Sequence, residues 1–306
     1  MIIQTEGLAK RYGRNDALVD LSMEVNAGEV FGFLGPNGAG KTTAVKLLLG
    51  LARPSGGRGT VLGAPLGDRA ARRGIGYLPE LFRYQPWLRA REVLALHASL
   101  SGGADRSRAA LDKVLDEVGL LDRADDAVGG FSKGMQQRLG LGVALLGSPA
   151  LVVLDEPTSA LDPVGRADVR SIIRRARDAG STVFLNSHIL TEVERVCDRV
   201  AIVDRGRVLA SGRLEDLLGE PAVRIRATDL APDAVAGLKR FGRVGADADG
   251  WLTIAGTAPA AVPDVVAAIV AAGGRVHAVD PGRATLEDRY FELISRGAPA
   301  PPEAGG

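Results

Sequence analysis

The 306-residue sequence predicts an α/β fold with a parallel central sheet, followed by a small α+β domain. Three observations carry that expectation. Between Met1 and about Leu218, short apolar runs alternate with helical patterns. A glycine-rich loop joins one such run to a helix. After about Glu220 the texture changes to short strands and helices in the order βαββαβ.

The first of the apolar runs is VFGFLG, residues 30–35, bounded by polar and glycine turns as a strand buried on both faces should be. It leads into LGPNGAGKTT, residues 34–43, where Gly35, Gly38, Gly40, Lys41, Thr42 and Thr43 fit the phosphate-loop pattern G-x-x-x-x-G-K-[ST] between a strand and a helix. Pro36, Asn37 and Ala39 complete the loop. In this pattern backbone N–H groups face the phosphates of a nucleotide, Lys41 supplies a point charge at the β and γ positions, and Thr42 offers a hydroxyl to Mg2+. Glycine is needed because a side chain would block that approach.

The uncharged stretch from Leu139 to Leu154 holds Gly142, Gly147 and Pro149, too short and broken to span a bilayer; it reads as a helix end, a turn at GSP and a buried strand. That strand is LVVLDEP, residues 151–157. Its four aliphatics put Asp155 at a buried strand end, where a carboxylate can hold the hydrated Mg2+ of a nucleotide. Glu156 can point at a water in line with the γ-phosphate and accept its proton, worth roughly 10²- to 10⁴-fold in rate for a positioned base. Gly165 to Asp178 reads as a helix with a solvated face, and STVFLNSH, residues 181–188, as a third buried strand. All three runs carry polar residues at their carboxyl ends, where parallel sheets bind ligands.

Beyond residue 220, AVRIRA reads as a strand, PDAVAGLKRF as a helix, RVGADADGWLTIA as two strands around a DADG turn, VPDVVAAIVAAGG as a helix and RVHAV as a strand. This is the ferredoxin-like pattern. A last helix, TLEDRYFELI, precedes GAPAPPEAGG, whose composition predicts disorder. The expected division is 1–220, 221–296 and a tail at 297–306. The small domain has one histidine, His277, and no nucleophile or metal constellation, so a regulatory or interfacial role is expected of it.

Composition excludes other classes. The hydrophobic share is 46% and the charged share 25%, as in globular chains, and a net charge of +1 gives no basic field for nucleic acid. The single Cys197 cannot form an internal disulfide, and on a helix it reads as a small packed residue. MIIQTEGLAK has no basic region followed by an apolar core, so no secretory leader is expected. The guanine-selecting NKxD pattern is absent, which favours ATP.

What narrows the class is FSKGMQQR, residues 131–138, about 20 residues before LVVLDEPTSALD and then NSH. Together these resemble the ATP-binding subunit of ABC transporters over nearly all of residues 1–218. The resemblance implies a P-loop NTPase core with antiparallel β and helical subdomains. It also implies that Ser132 and Gly134 bind the γ-phosphate of an ATP held by the other subunit; Lys133 and Met135 depart from the commonest signature. Asp162, which ends SALD, resembles the loop that crosses the dimer interface. His188 resembles the switch histidine that reaches the γ-phosphate, and Tyr12 in KRYG the aromatic that stacks on adenine. Glu80 in IGYLPE stands where the family often has glutamine, at the loop that senses Mg2+ and the transporter partner.

The same resemblance implies a homodimer around two ATP, a separate integral membrane permease subunit and a peripheral place at the cytoplasmic face of the membrane. GYLPE, SKGM and a C-terminal domain ending in TLEDRYFELI resemble the exporter branch that moves drugs, antibiotics, lipids and other cargo. Tyr77, Phe82, Tyr84 and Trp87 are either a dock for a cytoplasmic helix of that permease or a small core of the helical subdomain. His97 reads as an ordinary helix residue. The competing class is a soluble regulatory ATPase not coupled to transport. DNA-repair relatives would carry long coiled coils, and translation-associated ones two ATPase units; neither is present in the sequence.

Overall fold

The protein is described by a computed structural model covering residues 1–101, 104–159, 161–246, 250–280 and 285–297. The chain forms two compact units, Met1–Arg213 and Leu214–Gly306.

The first unit is built on a ten-stranded sheet. Its strands are β1 (Ile3–Tyr12), β2 (Asn15–Val25), β3 (Val30–Leu34), β4 (Gly56–Val61), β5 (Ala64–Pro65), β6 (Ile75–Leu78), β7 (Leu151–Asp155), β8 (Thr182–Asn186), β9 (Arg199–Asp204) and β10 (Arg207–Arg213). The spatial order is β5-β4-β1-β2-β10-β9-β3-β8-β7-β6. From β9 to β6 the neighbours are parallel, whereas β1 pairs antiparallel with β2 and β4, and β10 antiparallel with β9. The three apolar runs β3, β7 and β8 are buried at every position, as parallel strands covered on both faces must be.

Helices α1 (Lys41–Leu48), α2 (Ala90–Ser101), α3 (Arg108–Glu117), α4 (Lys133–Leu145), α5 (Pro163–Asp178) and α6 (Leu190–Val196) complete this unit. The helices α2, α3 and α4 pack on one another, and α4 also lies on β6. That approach is close: a Cβ on Gly76 would fall 1.8 Å from the carbonyl oxygen of Ala144. Phe31 and Phe33 of β3 stack with Phe184 of β8 and join α1 and the antiparallel strands in one core.

The second unit contains α7 (Leu214–Leu218), β11 (Ala222–Thr228), α8 (Pro232–Gly237), β12 (Arg243–Ala246), β13 (Trp251–Ala255), α9 (Val262–Ala271), β14 (Arg275–Asp280) and α10 (Leu286–Gly297). From β11 to β14 the order is βαββαβ, and the sheet order is β12-β13-β11-β14 with every neighbouring pair antiparallel. Val223, Ile225, Ile254, Val265 and Ile269 form its core. The helix expected over PDAVAGLKRF ends at Gly237 and tightens into a 3-10 turn at Leu238–Phe241. The DADG turn and the GAPAPPEAGG tail fall largely outside the described residues.

Candidate nucleotide site

β3 ends at Leu34 and the chain wraps through Gly35–Gly40 into α1. Two of the glycines are required by neighbouring backbone. A Cβ on Gly35 would sit 2.3 Å from the Val203 carbonyl oxygen, and on Gly40, at φ +100°, 2.4 Å from that of Ala17. Gly38 differs: its φ is +84°, yet nothing lies within 4 Å of its Cβ position. It borders a cavity of about 310 Å3 between the loop with the start of α1 and residues Asn15, Asp16 and Ala17. Ala39 is the loop residue whose side chain turns into the core. No side chain caps Gly40 and no acidic residue occupies the first turn of α1, so the free N–H groups and positive dipole end are left for an anion.

Lys41, 8% exposed, donates from Nζ to the carbonyl oxygens of Gly35 at 2.7 Å and Pro36 at 3.2 Å. Burial lowers its pKa, while the carboxylates of Glu156, Asp155 and Glu80 pull the other way. Those three acids are therefore the charged neighbours of the lysine. Thr42 is exposed and Thr43 half-buried at the opening of α1.

At the end of β7, Asp155 is 3% exposed and accepts from Asn186 Nδ2 at 2.5 Å. Burial raises its pKa; Asn186 opposes this, Glu80 and Glu156 add to it, and Lys41 opposes it. Glu156 takes a left-handed backbone, φ +51°, which costs a non-glycine residue roughly 1–2 kcal/mol. Its N–H donates to the Asn186 carbonyl oxygen at 2.9 Å. Asn186 thus holds both acids, one through its side chain and the other through its backbone. This residue was missed in the sequence, where NSH drew attention to the histidine alone; a polar residue ending a buried apolar run was the available signal.

His188 Nδ1 lies 2.8 Å from Glu156 Oε2, but the approach is outside hydrogen-bond geometry. Glu156 Oε2 is left buried with no hydrogen-bond partner, as is Asn186 Oδ1. Lys41, Asp155, Glu156, His188 and Glu80 are thereby gathered at the carboxyl edge of the parallel strands.

The remaining candidates stand on other elements. Tyr12 is 47% exposed on β1, with Lys10 Nζ 4.7 Å from its ring centroid. Ser132 caps α4 by accepting from Met135 N at 3.2 Å. Within 4 Å of a Cβ on Gly134 lie only Leu161 Cδ2 and Ser132 Oγ, both at 4.0 Å. Asp162 caps α5, accepting from Gly165 N at 2.8 Å. Ser132, Gly134 and Asp162 do not line the cavity beside the phosphate loop. The aromatic cluster divides. Phe82 and Tyr84 pack on each other and Tyr84 on His97, whereas Trp87 and Leu81 are exposed. A larger cavity, about 680 Å3, is at the opposite end of β7 and β8, beside Ala150 and Ser181. It holds none of these candidates, so size alone does not mark the site.

A glycine loop on a helix N-terminus beside an Asp–Glu strand end defines a P-loop ATPase. Residues 18–159 match the family profile described as ABC transporter. An uncharacterized ABC transporter ATP-binding protein of Nostoc sp. is 40% identical, the match covering 96% of this chain and 90% of that protein. A bacitracin transport ATP-binding protein of Bacillus licheniformis is 41% identical over 68% of each chain, and a linearmycin resistance ATP-binding protein of Bacillus subtilis 38% identical over 71% of this chain and 70% of its own. A solved ATP-binding subunit of an ABC transporter superposes with a TM-score of 0.63 at 32% identity, covering 71% of this chain and 92% of that one. The chain belongs to the ATP-binding proteins of ABC transporters and carries their ATPase fold.

Proposed function

We propose that this chain hydrolyses ATP to power export through a separate membrane permease, working as a homodimer that closes over two nucleotides. One observation carries this reading. Lys41, Asp155, Glu156 and His188 share one edge of the sheet, while Ser132 and Gly134 do not line the cavity beside the phosphate loop. A second copy of the chain is then needed to bring the serine and glycine to each ATP.

In this scheme the backbone of residues 35–43 binds the phosphates, and Lys41 leaves its two carbonyl partners to pair with the β and γ oxygens. Tyr12 stacks on the adenine. Glu156 orients the attacking water and takes its proton; its unpartnered Oε2 fits that task. His188 meets the γ-phosphate from the other side of the carboxylate. Ser132 and Gly134 contact the γ-phosphate of the opposite ATP from the start of α4, and Asp162 lies at the seam between copies. Thr42 and Asp155 would hold Mg2+, with Glu80 near. Hydroxyl and carboxylate oxygens fit that hard cation, whose remaining ligands would be phosphate oxygens and waters. When bound, Mg2+ neutralises charge on the β and γ oxygens.

Export of a drug, antibiotic or lipid is supported by what the bacitracin and linearmycin relatives are named for. Among the described residues no helix is long and apolar enough to cross a membrane, so the passage is assigned to a separate subunit. Leu81, 87% exposed, and Trp87, 73% exposed, are its proposed dock. Size-exclusion chromatography tests the dimer: Glu156→Gln with MgATP should elute as a dimer, and elution as a monomer only would refute it. Mass spectrometry of material co-purified from detergent-solubilised native membranes tests the coupling. A polytopic protein in near-equal amount supports transport; soluble partners only would favour a regulatory ATPase.

A further inference from the structure

Helix α5 carries Arg166, Arg170 and Arg174 at i, i+4 and i+8, a spacing that lines up one helix face. Each grips a different piece of backbone or side chain. Arg166 Nε donates to the Leu161 carbonyl oxygen at 3.0 Å, next to Asp162. Arg170 Nη1 donates to Glu192 Oε2 at 2.5 Å, and Arg174 Nη2 to the Arg195 carbonyl oxygen at 2.6 Å. Glu192 and Arg195 both belong to α6, which begins two residues after His188.

α6 has only seven residues, too few to be stable without tertiary contacts. Its apolar side is seated on β3, where a Cβ on Gly32 would fall 2.7 Å from Val193 Cγ1. Towards α5 it is attached by the Arg174 bond to the Arg195 carbonyl oxygen and by the Arg170–Glu192 pair, whose side chains are 14% and 6% exposed. A buried ion pair is a poor source of net stability, because desolvation offsets its attraction, and its best-attested use is to fix register.

We propose that the Arg170–Glu192 ion pair is a positioning device for His188, holding α6 on α5 so that the imidazole stands opposite Glu156. The inference rests on the role proposed above for His188. It also links the Asp162 loop, gripped by Arg166, to the histidine loop through a single helix. Neither Arg170 nor Glu192 touches substrate; both act through where α6 places the histidine.

The test uses the full chain. Glu192→Gln keeps the shape and removes the charge, and Arg170→Met with Glu192→Met replaces the pair by apolar groups that fold without a buried charge. Ile172→Val, a core trim on the same helix, controls for stability. Expected for both pair variants are ATP affinity within about twofold of wild type, kcat lower by about tenfold or more (~1.4 kcal/mol) and a displaced His188 ring resonance in NMR of the nucleotide-free protein. Ile172→Val should change neither kcat nor that resonance. An unmoved His188 resonance, with or without a fall in kcat, overturns the positioning role. His188→Ala is run beside them: if it keeps full turnover, the role proposed for the histidine fails, while the resonance still decides separately whether the pair sets its place.

Discussion

Alanine at Gly38 and at Gly40 should separate a glycine needed by the ligand from a glycine needed by the fold. Both have positive φ, +84° and +100°, so each alanine carries roughly 1–2 kcal/mol of left-handed backbone strain. At Gly38 nothing else is met. At Gly40 the new Cβ lies 2.4 Å from the Ala17 carbonyl oxygen and 2.8 Å from Leu18 Cδ2, and overpacking of this kind adds about 1–3 kcal/mol because a backbone atom cannot turn aside. For a unit of this size, each kcal/mol moves Tm by about 2–4 °C, so Gly38→Ala should lower it by about 2–8 °C and Gly40→Ala by about 4–20 °C. Affinity should show the reverse order of interest. The alanine methyl at position 38 enters the cavity beside the loop, and ATP binding should weaken by at least about tenfold, ~1.4 kcal/mol. Differential scanning calorimetry without nucleotide gives the first quantity and titration calorimetry with ATP the second. A Gly38→Ala protein that binds ATP like wild type would refute the placement of the phosphates at this loop face.

Removing the Asn186 amide with Asn186→Ala should cost about 1–3 kcal/mol, because Asp155 Oδ1 loses its buried donor; an unchanged urea midpoint would mean that water replaces it. Burial raises the Asp155 pKa above the ordinary carboxylate value of about 3.9, so the folded chain keeps a proton that the unfolded chain has released. That contribution is present below the ordinary value and lost as pH rises through the folded one. Asp155→Asn should therefore flatten nucleotide-free stability across that window, and a profile parallel to wild type in urea titrations would argue against it. Cys197 is not on a helix as its sequence context suggested but follows the end of α6 with extended backbone; burial, then the Asp198 carboxylate, pushes its thiol well up, so maleimide should label it only after denaturation, and labelling of the native protein would show that this segment opens. Trp87→Ala should release the protein from membranes that hold its permease while leaving soluble ATPase activity intact, as read by flotation and phosphate release.

The parallel core was legible because burial on both faces writes itself as largely apolar runs: VFGFLG, LVVLDEP and STVFLNSH contain β3, β7 and β8 and overrun them by at most two residues at either end. The phosphate loop was legible because few residues other than glycine fit at positions 35 and 40. Long-range pairing was not. Nothing local in Asn186 announces that it bonds Asp155, 31 positions earlier, and nothing in HILTEVE announces that Glu192 faces Arg170. The aromatic cluster between residues 77 and 87 could be read as dock or core, and the fold divides it, since the direction of each ring depends on how α2 and α4 close over β6.

Several unfavourable features of the first unit meet at the carboxyl edge of its parallel strands, while Leu62, Ser148 and Arg205 also take a left-handed backbone and Arg199 Nε is also buried without a hydrogen-bond partner elsewhere in it. Glu156 has a strained backbone and an unpartnered oxygen, its neighbour Asp155 is buried where ionisation is opposed, and the Lys41 ammonium is held against two carbonyl oxygens with its charge disfavoured by burial. The buried charges could be relieved by neutral residues and the backbone strain by glycine, and apart from Thr182 and Asn186 the surrounding strands β3 and β8 are apolar. All three concern groups of opposite charge that face one another around an open edge. On the proposed function, a polyphosphate with its cation would supply what each lacks: an anion for the lysine, a cation for the aspartate and a water for the glutamate. On that reading, part of the local cost to the fold falls where a single ligand would offset it, so binding and hydrolysis would draw on the same residues.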